Sequence, residues 1–410
     1  MSYLTQEIAG IGGKVKQQLE DFRVYEIPAY PCAGQGEHLY LWIEKTGITT
    51  FDVVMQLARG LHISPQDVGY AGMKDCHAIT QQFFSIPLAS KLELDKLTLK
   101  NAQILNVQQH INKLRIGHLR GNRFEIVVRD PMANWEENLQ KIIEILQKCG
   151  IPNYFGPQRF GSQQNTDRIG NALLRNQREE ALHTLLGQIN PLDTNLLKEV
   201  KQFYLADKYQ DAFNIIPSSF ITEKHLLKLL AGGMPKATAV TRIPLRIQKF
   251  YVSAYQSSLF NQTLQTRLPE IDQIWCGDLA VKHPGRAVFL AQDDEATKLR
   301  CQGHEISPTG PMFGYKMIHP AGKQQEIEQQ LLAQEHLDVD LFRAFHYKGE
   351  RRSYRFFAQD IRIQKQNQIA QIFFTLPKGC YATVVLGEMM KVPYTQPDLW
   401  EDEENEDADT

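Results

Sequence analysis

Residues 69–87 of the chain read GYAGMKDCHAITQQFFSIP, a glycine-containing loop that leads into an apolar strand. Gly69 and Gly72 permit a tight turn in which the backbone can approach other groups closely. Lys74 and Asp75 then lie at the tip of this loop. A base beside an acid at such a tip is often only a solvated turn, so the loop alone leaves a structural and a functional interpretation open.

The sequence on either side of the loop predicts short strands and two helices. Alternation or runs of apolar residues predict strands in EHLYLWIEK, QQFFSIPL and RFEIVVRD. Apolar residues at helical spacing predict one helix over 50–61 and another that is capped by Asn134 and ends at Gly150.

The middle of the chain differs in predicted secondary structure, because helical patterns replace the strands. Helices are predicted over 167–230 and in FYVSAYQSSLFNQTLQTRL, and a strand-like stretch over 276–318. Strands are then predicted again over 353–357, 360–364 and 369–376, before a turn at 377–379. Strands before and after a largely helical middle predict an α+β domain interrupted by an insertion.

These changes in predicted secondary structure indicate where the domain boundaries lie. Residues 1–162 and 347–398 are predicted to form the interrupted domain, and residues 163–346 the inserted one. The last residues, 399–410, are rich in acids and lack any core-forming pattern, so a disordered acidic tail is expected there.

Composition and charge restrict the class of protein. The chain has 410 residues, 42% of them hydrophobic, which is ordinary for a globular protein. The final WEDEENEDADT holds seven acids; without them, 45 basic residues face 40 acidic ones, a net charge of +5 that is compatible with a polyanionic partner. No apolar run is long enough to span a bilayer, and the opening residues do not resemble a secretion signal.

Motif searches exclude several kinds of chemistry. The six cysteines are scattered without a C-x-x-C pair, and the histidines show no metal-binding spacing, so neither a disulfide framework nor a metal site is expected. Phosphate-binding, dinucleotide-binding and serine-hydrolase motifs are absent from the sequence. A reducing cytoplasm is the expected compartment, and no metal is expected. The chain is further predicted to be a monomer with no membrane association and no obligate protein partner.

Two further segments carry side chains suited to nucleic acid. In LRGNRFEIVVR, Asn122 and Phe124 lie two residues apart on one predicted strand and so face the same side. An amide and an aromatic ring in that arrangement can bond to a base edge and stack on its face. Taken alone, however, the two residues are better explained by a turn followed by a core phenylalanine. IPNYFGPQRFGSQQN groups aromatic residues with Arg159, which suits either nucleic acid or a packed connector.

Together these elements resemble one family, the TruD-type tRNA pseudouridine synthases. The resemblance runs from about residue 15 to 390, and its most specific blocks are A-G-x-K-D at 71–75 and N-Y-F-G-x-Q-R-F-G at 153–161. Further matches are Glu20-Asp21-Phe22, Gly36-Glu37-His38, Ala78, Thr80, Gly121-Asn122-Arg123-Phe124, Ser253-Ala254-Tyr255, Leu259-Phe260-Asn261 and Pro377-Lys378-Gly379-Cys380-Tyr381-Ala382-Thr383.

The resemblance implies a fold and a function. The fold would be a pseudouridine-synthase catalytic domain with a mixed or antiparallel sheet, interrupted by a largely helical TRUD-type insertion. The reaction would be isomerisation of uridine to pseudouridine at position 13 of tRNA, chiefly tRNA-Glu, without a cofactor.

By the same likeness, Asp75 is the catalytic aspartate and Phe124 the ring that stacks on the target base. Asn122 would be a ligand of the aspartate loop, and Phe22 and Lys16 would line the site.

Two features depart from the family pattern. Tyr381 occupies a place where phenylalanine is familiar, which would add a hydroxyl to the pocket. The middle region is also longer than in compact members, so its contacts are not carried over.

The chemistry needs residues of these types. The N1–C1′ bond of uridine must break and C5 must join C1′, and a carboxylate can serve as either nucleophile or base toward the sugar. A nearby cation such as Lys16 would keep the acid ionised. Two alternatives are a non-catalytic RNA-binding protein that uses the same cleft and a carboxylate-dependent glycosidase, which would require a second placed acid.

Overall fold

The structure is a computed structural model that describes residues 2–161, 163–191, 193–283, 285, 287–366 and 368–392. The predicted acidic tail, residues 399–410, lies outside these ranges. None of the helices within them is both long and apolar enough to cross a membrane.

Strands lie mainly before and after a helical middle of the chain. In order, the strands are β1 (Phe22–Pro28), β2 (His38–Thr46), β3 (Gly69–Tyr70), β4 (Ile79–Pro87), β5 (Ala102–His110), β6 (Leu119–Arg129), β7 (Ile151–Pro152), β8 (Leu279–Lys282), β9 (Val288–Leu290), β10 (Ile306–Met312), β11 (Glu350–Ser353), β12 (Arg355–Phe356), β13 (Gln359–Gln366) and β14 (Ile369–Pro377).

The α-helices are α1 (Thr50–Gly60), α2 (Trp135–Cys149), α3 (Thr166–Leu174), α4 (Arg178–Leu186), α5 (Asn195–Leu205), α6 (Tyr209–Ile215), α7 (Ile221–Ala231), α8 (Lys236–Val240), α9 (Leu245–Arg267), α10 (Glu295–Gln302), α11 (Gly322–Gln334) and α12 (Ala382–Met390). Short 3-10 helices cover Leu19–Asp21, Pro65–Asp67, Leu88–Lys96, Pro157–Phe160, Leu268–Glu270 and Val339–Phe345.

The predicted strands β2, β4, β6, β13 and β14 are confirmed, as are helices α1 and α2 and the helical middle. Asn134 occupies the predicted N-cap position of α2. Its backbone has φ of 59°, and its side chain makes no capping hydrogen bond. The stretch predicted as strand-like over 276–318 contains helix α10 as well as three strands.

The chain divides into two compact units. Of the described residues, the first unit comprises those up to Ile151 and those from 356 to 392, and the second comprises those within Pro152–Arg355. This division begins earlier and ends later than the insertion predicted at 163–346, because residues just outside those limits contact the second unit's own helices and strands. Asn153, for example, donates its side-chain N–H to the Ser353 carbonyl at 2.9 Å.

The first unit is built on an eight-stranded sheet in the order β13-β14-β6-β1-β4-β2-β5, with β3 paired to β4. Among these pairs β1 and β4 are parallel and the others antiparallel. A mixed, mostly antiparallel sheet with helices confirms the predicted α+β class.

Register places polar and aromatic residues on one face of this sheet. Lys45 of β2 is opposite Thr80 of β4, which in turn is opposite Val24 of β1. Val24 is opposite Phe124 of β6, so these four residues lie in one row across four strands. Helix α1 packs its buried side chains on the part of this face that carries Leu39, Leu41 and Phe84.

The second unit is mainly helical. Its core joins α3, α4, α7 and α9 through buried side chains that include Leu173, Leu182, Leu226 and Leu259. The unit also contains a four-stranded sheet in the order β11-β10-β8-β9.

Helices α3 and α9 are in close contact at Gly170, and this contact yields a stability prediction. A Cβ on Gly170 would overlap the Tyr251 backbone carbonyl, which cannot move away cheaply. We expect Gly170→Ala to lower the free energy of unfolding by about 1–3 kcal/mol, the usual cost of overpacking. Chemical denaturation measures the change.

Gly232→Ala is the matched control, because Gly232 has a φ of −79° and a Cβ there would come no closer than 3.4 Å to another atom. We expect it to change the free energy of unfolding by less than about 0.5 kcal/mol. Equal stability of the two variants would contradict the close approach of α3 and α9.

Candidate active site

An ion pair joins the loop after β3 to the N-terminal segment. The Lys16 Nζ lies 3.0 Å from Asp75 Oδ1, and the two side chains are only 3% and 17% exposed. Lys16 has a φ of 55°, a left-handed conformation that is uncommon for a residue with a side chain. The His77 Nε2 lies 3.0 Å from the Lys16 carbonyl oxygen and so helps to hold this conformation. The structure therefore brings two predicted site residues into direct contact.

The surroundings of Asp75 favour its ionised form. Burial by itself would raise the pKa of the carboxyl group, but the positive charges of Lys16 and Lys45 and the hydrogen bond from Lys16 outweigh it, so the pKa lies below its usual value. Asp75 is therefore a carboxylate at neutral pH although little of it touches water.

The loop that carries Asp75 is held by neutral polar side chains. The Lys74 peptide N–H donates to Thr50 Oγ1 at 3.0 Å, and the Thr50 hydroxyl donates to Gln82 Oε1 at 2.9 Å. The Gln82 amide in turn donates to the Gly72 carbonyl at 2.9 Å. Since Thr50 and Gln82 are fully buried, this chain of bonds fixes the loop to α1 and β4.

A buried ammonium group reaches the same loop from β2. The Lys45 Nζ donates to the backbone carbonyls of Ile48, Lys74 and Asp75 at 2.7, 3.2 and 2.5 Å. Lys45 is 0% exposed. The peptide groups on either side of the Asp75 side chain are thus bound to one cation.

Lys74 is not a solvated residue at the tip of a turn. Its Nζ lies 3.0 Å from Glu26 Oε2, and both side chains are almost fully buried. Glu26 also accepts the Phe83 peptide N–H at 3.3 Å. The interpretation of the loop as a mere solvated turn is therefore wrong.

Three phenylalanine rings extend from this ion pair across the sheet. The Lys16 Nζ lies 4.7 Å from the centroid of the Phe22 ring, a cation–π distance. Phe22 meets Phe124 edge-on at 6.1 Å, and Phe124 stacks with Phe374 at 5.3 Å. Phe124 is 5% exposed, so it contributes to the core whatever else it does.

Asn122 lies on the same face of β6 as Phe124, opposite Glu26 of β1. Its Oδ1 is buried and accepts no hydrogen bond from the residues that the structure describes. A buried acceptor without a donor is costly, and a ligand can supply the missing bond. Tyr381 is half-buried at the N-cap of α12, just after the turn that follows β14, and its place in the site stays a prediction.

Sequence reasoning missed the residues that support Asp75. Lys45, Thr50, Gln82 and Glu26 were not predicted as site residues, yet each contacts the loop or its neighbour Lys74. One signal was present for the first of them. Lys45 follows Leu39, Leu41 and Ile43 at intervals of two, which places it on the buried face of its strand.

The segment with aromatic residues and arginine belongs to the second unit and packs on α9. Asn261 accepts the Phe155 peptide N–H and donates to its carbonyl, both at 2.9 Å. Arg159 donates to Ser253 Oγ at 2.6 Å and to Ser257 Oγ at 3.2 Å. These contacts support its interpretation as a packed connector.

Among the residues that the structure describes, no group of three or more His, Cys, Asp or Glu side chains is placed to hold a metal ion. The site described here consists instead of a carboxylate, ammonium groups, an unsatisfied amide and aromatic rings.

Comparison with known proteins gives a consistent result. The family model described as tRNA pseudouridine synthase D (TruD) matches residues 1–389. A curated tRNA pseudouridine synthase D from Geotalea daltonii is 40% identical over 95% of this chain and 99% of its own, and one from Syntrophotalea carbinolica is 38% identical over the same shares. One from Thermus thermophilus is 34% identical over 95% of this chain and 92% of its own.

The fold is also similar to that of a solved structure. A crystal structure of a Methanosarcina mazei protein assigned to tRNA pseudouridine synthase D has a TM-score of 0.81 and 27% identity, and 96% of each chain is covered. With the family model matched across nearly the whole chain, the resemblance seen in the sequence is confirmed, and the chain belongs to the tRNA pseudouridine synthase D family.

Proposed function

We propose that this protein isomerises uridine to pseudouridine at position 13 of tRNA, chiefly tRNA-Glu, with Asp75 as the catalytic residue. The observation that carries the proposal is the carboxylate of Asp75, which is mostly buried and lies 3.0 Å from the Lys16 ammonium. Membership of the tRNA pseudouridine synthase D family supports the tRNA substrate and the class of reaction.

The reaction accounts for a single ionised carboxylate. The N1–C1′ bond breaks, the uracil turns, and C5 bonds to C1′; C5 then loses its hydrogen to solvent while N1 gains one. Asp75 assists either by bonding to the sugar or by removing a proton from it, and each role requires the carboxylate form. No electrons are gained or lost overall, which supports a reaction without a cofactor.

Other side chains have the chemistry to hold the uracil. Phe124 supplies an aromatic surface and Phe22 braces it, at a ring distance of 6.1 Å. Asn122 offers an acceptor to a uracil N–H, and its Oδ1 has no hydrogen-bond donor within the described part of the chain. Tyr381, at the start of α12, is proposed as a further residue of the pocket.

The proposal extends to partners and location. We expect the protein to act on tRNA as a monomer in the cytoplasm, without an obligate protein partner. A glycosidase is disfavoured because Glu26, an acid that contacts the loop residue Lys74, already forms a buried ion pair with it. A second free carboxyl group, which that chemistry uses, is not supplied by Glu26.

Asp75→Asn is the decisive test. The amide keeps the size of the side chain but removes the charge, so we expect loss of at least about a thousandfold in rate, equivalent to about 4 kcal/mol. The assay follows release of tritium from C5 of labelled uridine in tRNA-Glu. Binding of tRNA should be retained, because phosphate contacts supply most of the affinity.

The position is tested in the same assay. Replacing uridine 13 by cytidine in the transcript should abolish tritium release by the wild-type enzyme. Release from the altered transcript would show that the position is wrong, and activity of Asp75→Asn above one tenth of wild type would show that the catalytic residue is wrong.

Lys16→Met should shift the pH dependence of the reaction. The charge of Lys16 lowers the pKa of Asp75, so its removal raises that pKa. Because the carboxylate is the active form, the acidic limb of the profile of rate against pH should move to higher pH. The variant should lose less of the wild-type rate in alkaline than in acidic solution. The measurement is the single-turnover rate across pH.

Lys14→Met is the control for this shift, since Lys14 lies in the same segment but is exposed. Its acidic limb should coincide with that of wild type. An unchanged limb in folded Lys16→Met would contradict the electrostatic role of Lys16.

Phe124→Leu should separate packing from stacking. Leucine retains much of the apolar volume between Phe22 and Phe374, so we expect a stability loss of about 1–3 kcal/mol. Loss of an aromatic surface should lower the single-turnover rate by about 5- to 150-fold, corresponding to 1–3 kcal/mol of base stacking.

Phe374→Leu is the matched control, because Phe374 is its stacked neighbour and 1% exposed. Phe374→Leu should lose about as much stability as Phe124→Leu but retain more of the wild-type single-turnover rate. If both variants keep the wild-type rate, Phe124 is a core residue only.

A further inference from the structure

Lys45 is a fully buried lysine whose contacts centre on the catalytic loop. Lysine is almost never fully buried unless its charge is compensated. Its three N–H donors match three carbonyl oxygens, of which those of Lys74 and Asp75 flank the catalytic side chain. The third, from Ile48, ties the same ammonium to the turn that precedes α1.

A positive charge is not needed merely to close this loop. Thr50 and Gln82, both neutral, already bind the Lys74 N–H and the Gly72 carbonyl. Burying an ammonium group is expensive compared with a neutral donor such as these. Its presence against the Asp75 carbonyl therefore calls for a role that a neutral donor cannot fill.

We propose that Lys45 is a positioning residue for Asp75: it clamps the peptide groups on both sides of the catalytic carboxylate and supplies a fixed positive charge beside it. The inference rests on the proposed function, since it assigns Lys45 a role through Asp75. Lys45 itself donates to the loop's backbone, so it orients the catalytic group rather than acting on the substrate.

The other charged groups around Asp75 do not duplicate this role. Lys16, from the N-terminal segment, contacts the carboxylate directly, and His77 of the same loop contacts the Lys16 carbonyl. Lys74 is neutralised by Glu26 of β1. Lys45 is thus the cation that approaches Asp75 from the β2 side of the loop, and its charge contributes to the lowered pKa of that residue.

The test compares Lys45→Met, which removes the charge and the donors, with Lys45→Gln, which keeps two N–H donors in a neutral side chain. In Lys45→Met we expect the single-turnover rate of pseudouridine formation to fall about 10- to 100-fold, as for a displaced catalytic group. The acidic limb of the pH profile should move up by at least about half a pH unit in both variants. The Kd for tRNA should stay within about threefold of wild type, because phosphate contacts are intact.

Lys201→Met is the matched control. Lys201 is also a buried lysine, 3% exposed, but it pairs with Asp193 in the second unit. Its removal should lower stability while leaving the rate of the folded protein and its pH profile unchanged.

Three outcomes would overturn the inference. One is a folded Lys45→Met variant whose single-turnover rate and acidic limb of the pH profile equal those of wild type. Another is a loss of single-turnover rate in Lys201→Met as large as that in Lys45→Met. The third is failure of both Lys45 variants to fold while Lys201→Met folds, which would show that Lys45 serves the fold and not Asp75. Asp75→Asn separates this inference from the proposed function: if that variant is active, the function fails, and if it is inactive, only the role of Lys45 is at issue.

Discussion

A carboxylate that must stay ionised with little water around it depends on a nearby positive charge, and in this protein Lys16 provides it at 3.0 Å from Asp75. The position of Lys16 depends on the last helix of the unit. Backbone N–H groups of residues 11–12 donate to the carbonyls of Met389 and Met390 at the end of α12. The segment that carries Lys16 is thus held by α12, which lies far from it in the sequence.

The charged groups around Asp75 also determine the net charge of the site. Lys16, Lys45 and Lys74 bring three positive charges, against which Asp75 and Glu26 set two negative ones. These five groups carry a net charge of +1, although the whole chain has a net charge of −2. A local positive potential attracts a polyanion even when the net charge of the protein does not. This excess of one positive charge supports the proposed tRNA substrate, whose phosphate backbone is a polyanion.

The sequence predicted those features that follow from local patterns. Alternation located β2, and helical spacing located α1 and α2, because each has one buried and one more exposed face. Helix α12 was not predicted, since all nine of its residues are buried and it has no polar face to reveal its period.

The site shows the same division between local pattern and tertiary contact. The pairing of Asp75 with Lys16 came from a family resemblance, as no local pattern relates residues so far apart in the sequence. The roles of Thr50 and Gln82 follow only from the register of β4 and the position of α1, because their bonds connect distant segments. The sequence did indicate that Lys45 is a polar residue on the buried face of its strand, and the structure has it fully buried.

Burial of Phe124 bears on how an aromatic platform can work. Its ring stacks on Phe374 with an interplanar angle of 28° and meets Phe22 at 72°, so two neighbours restrict its motion. A ring that is already immobile loses little conformational entropy when a base stacks on it, whereas an exposed ring would lose more. Core packing and base stacking are therefore not competing explanations of Phe124. Packing by Phe22 and Phe374 is what would make the Phe124 ring effective as a platform for a base. The buried neighbours of the Asp75 loop would act in the same way, by fixing the carboxylate before substrate binds.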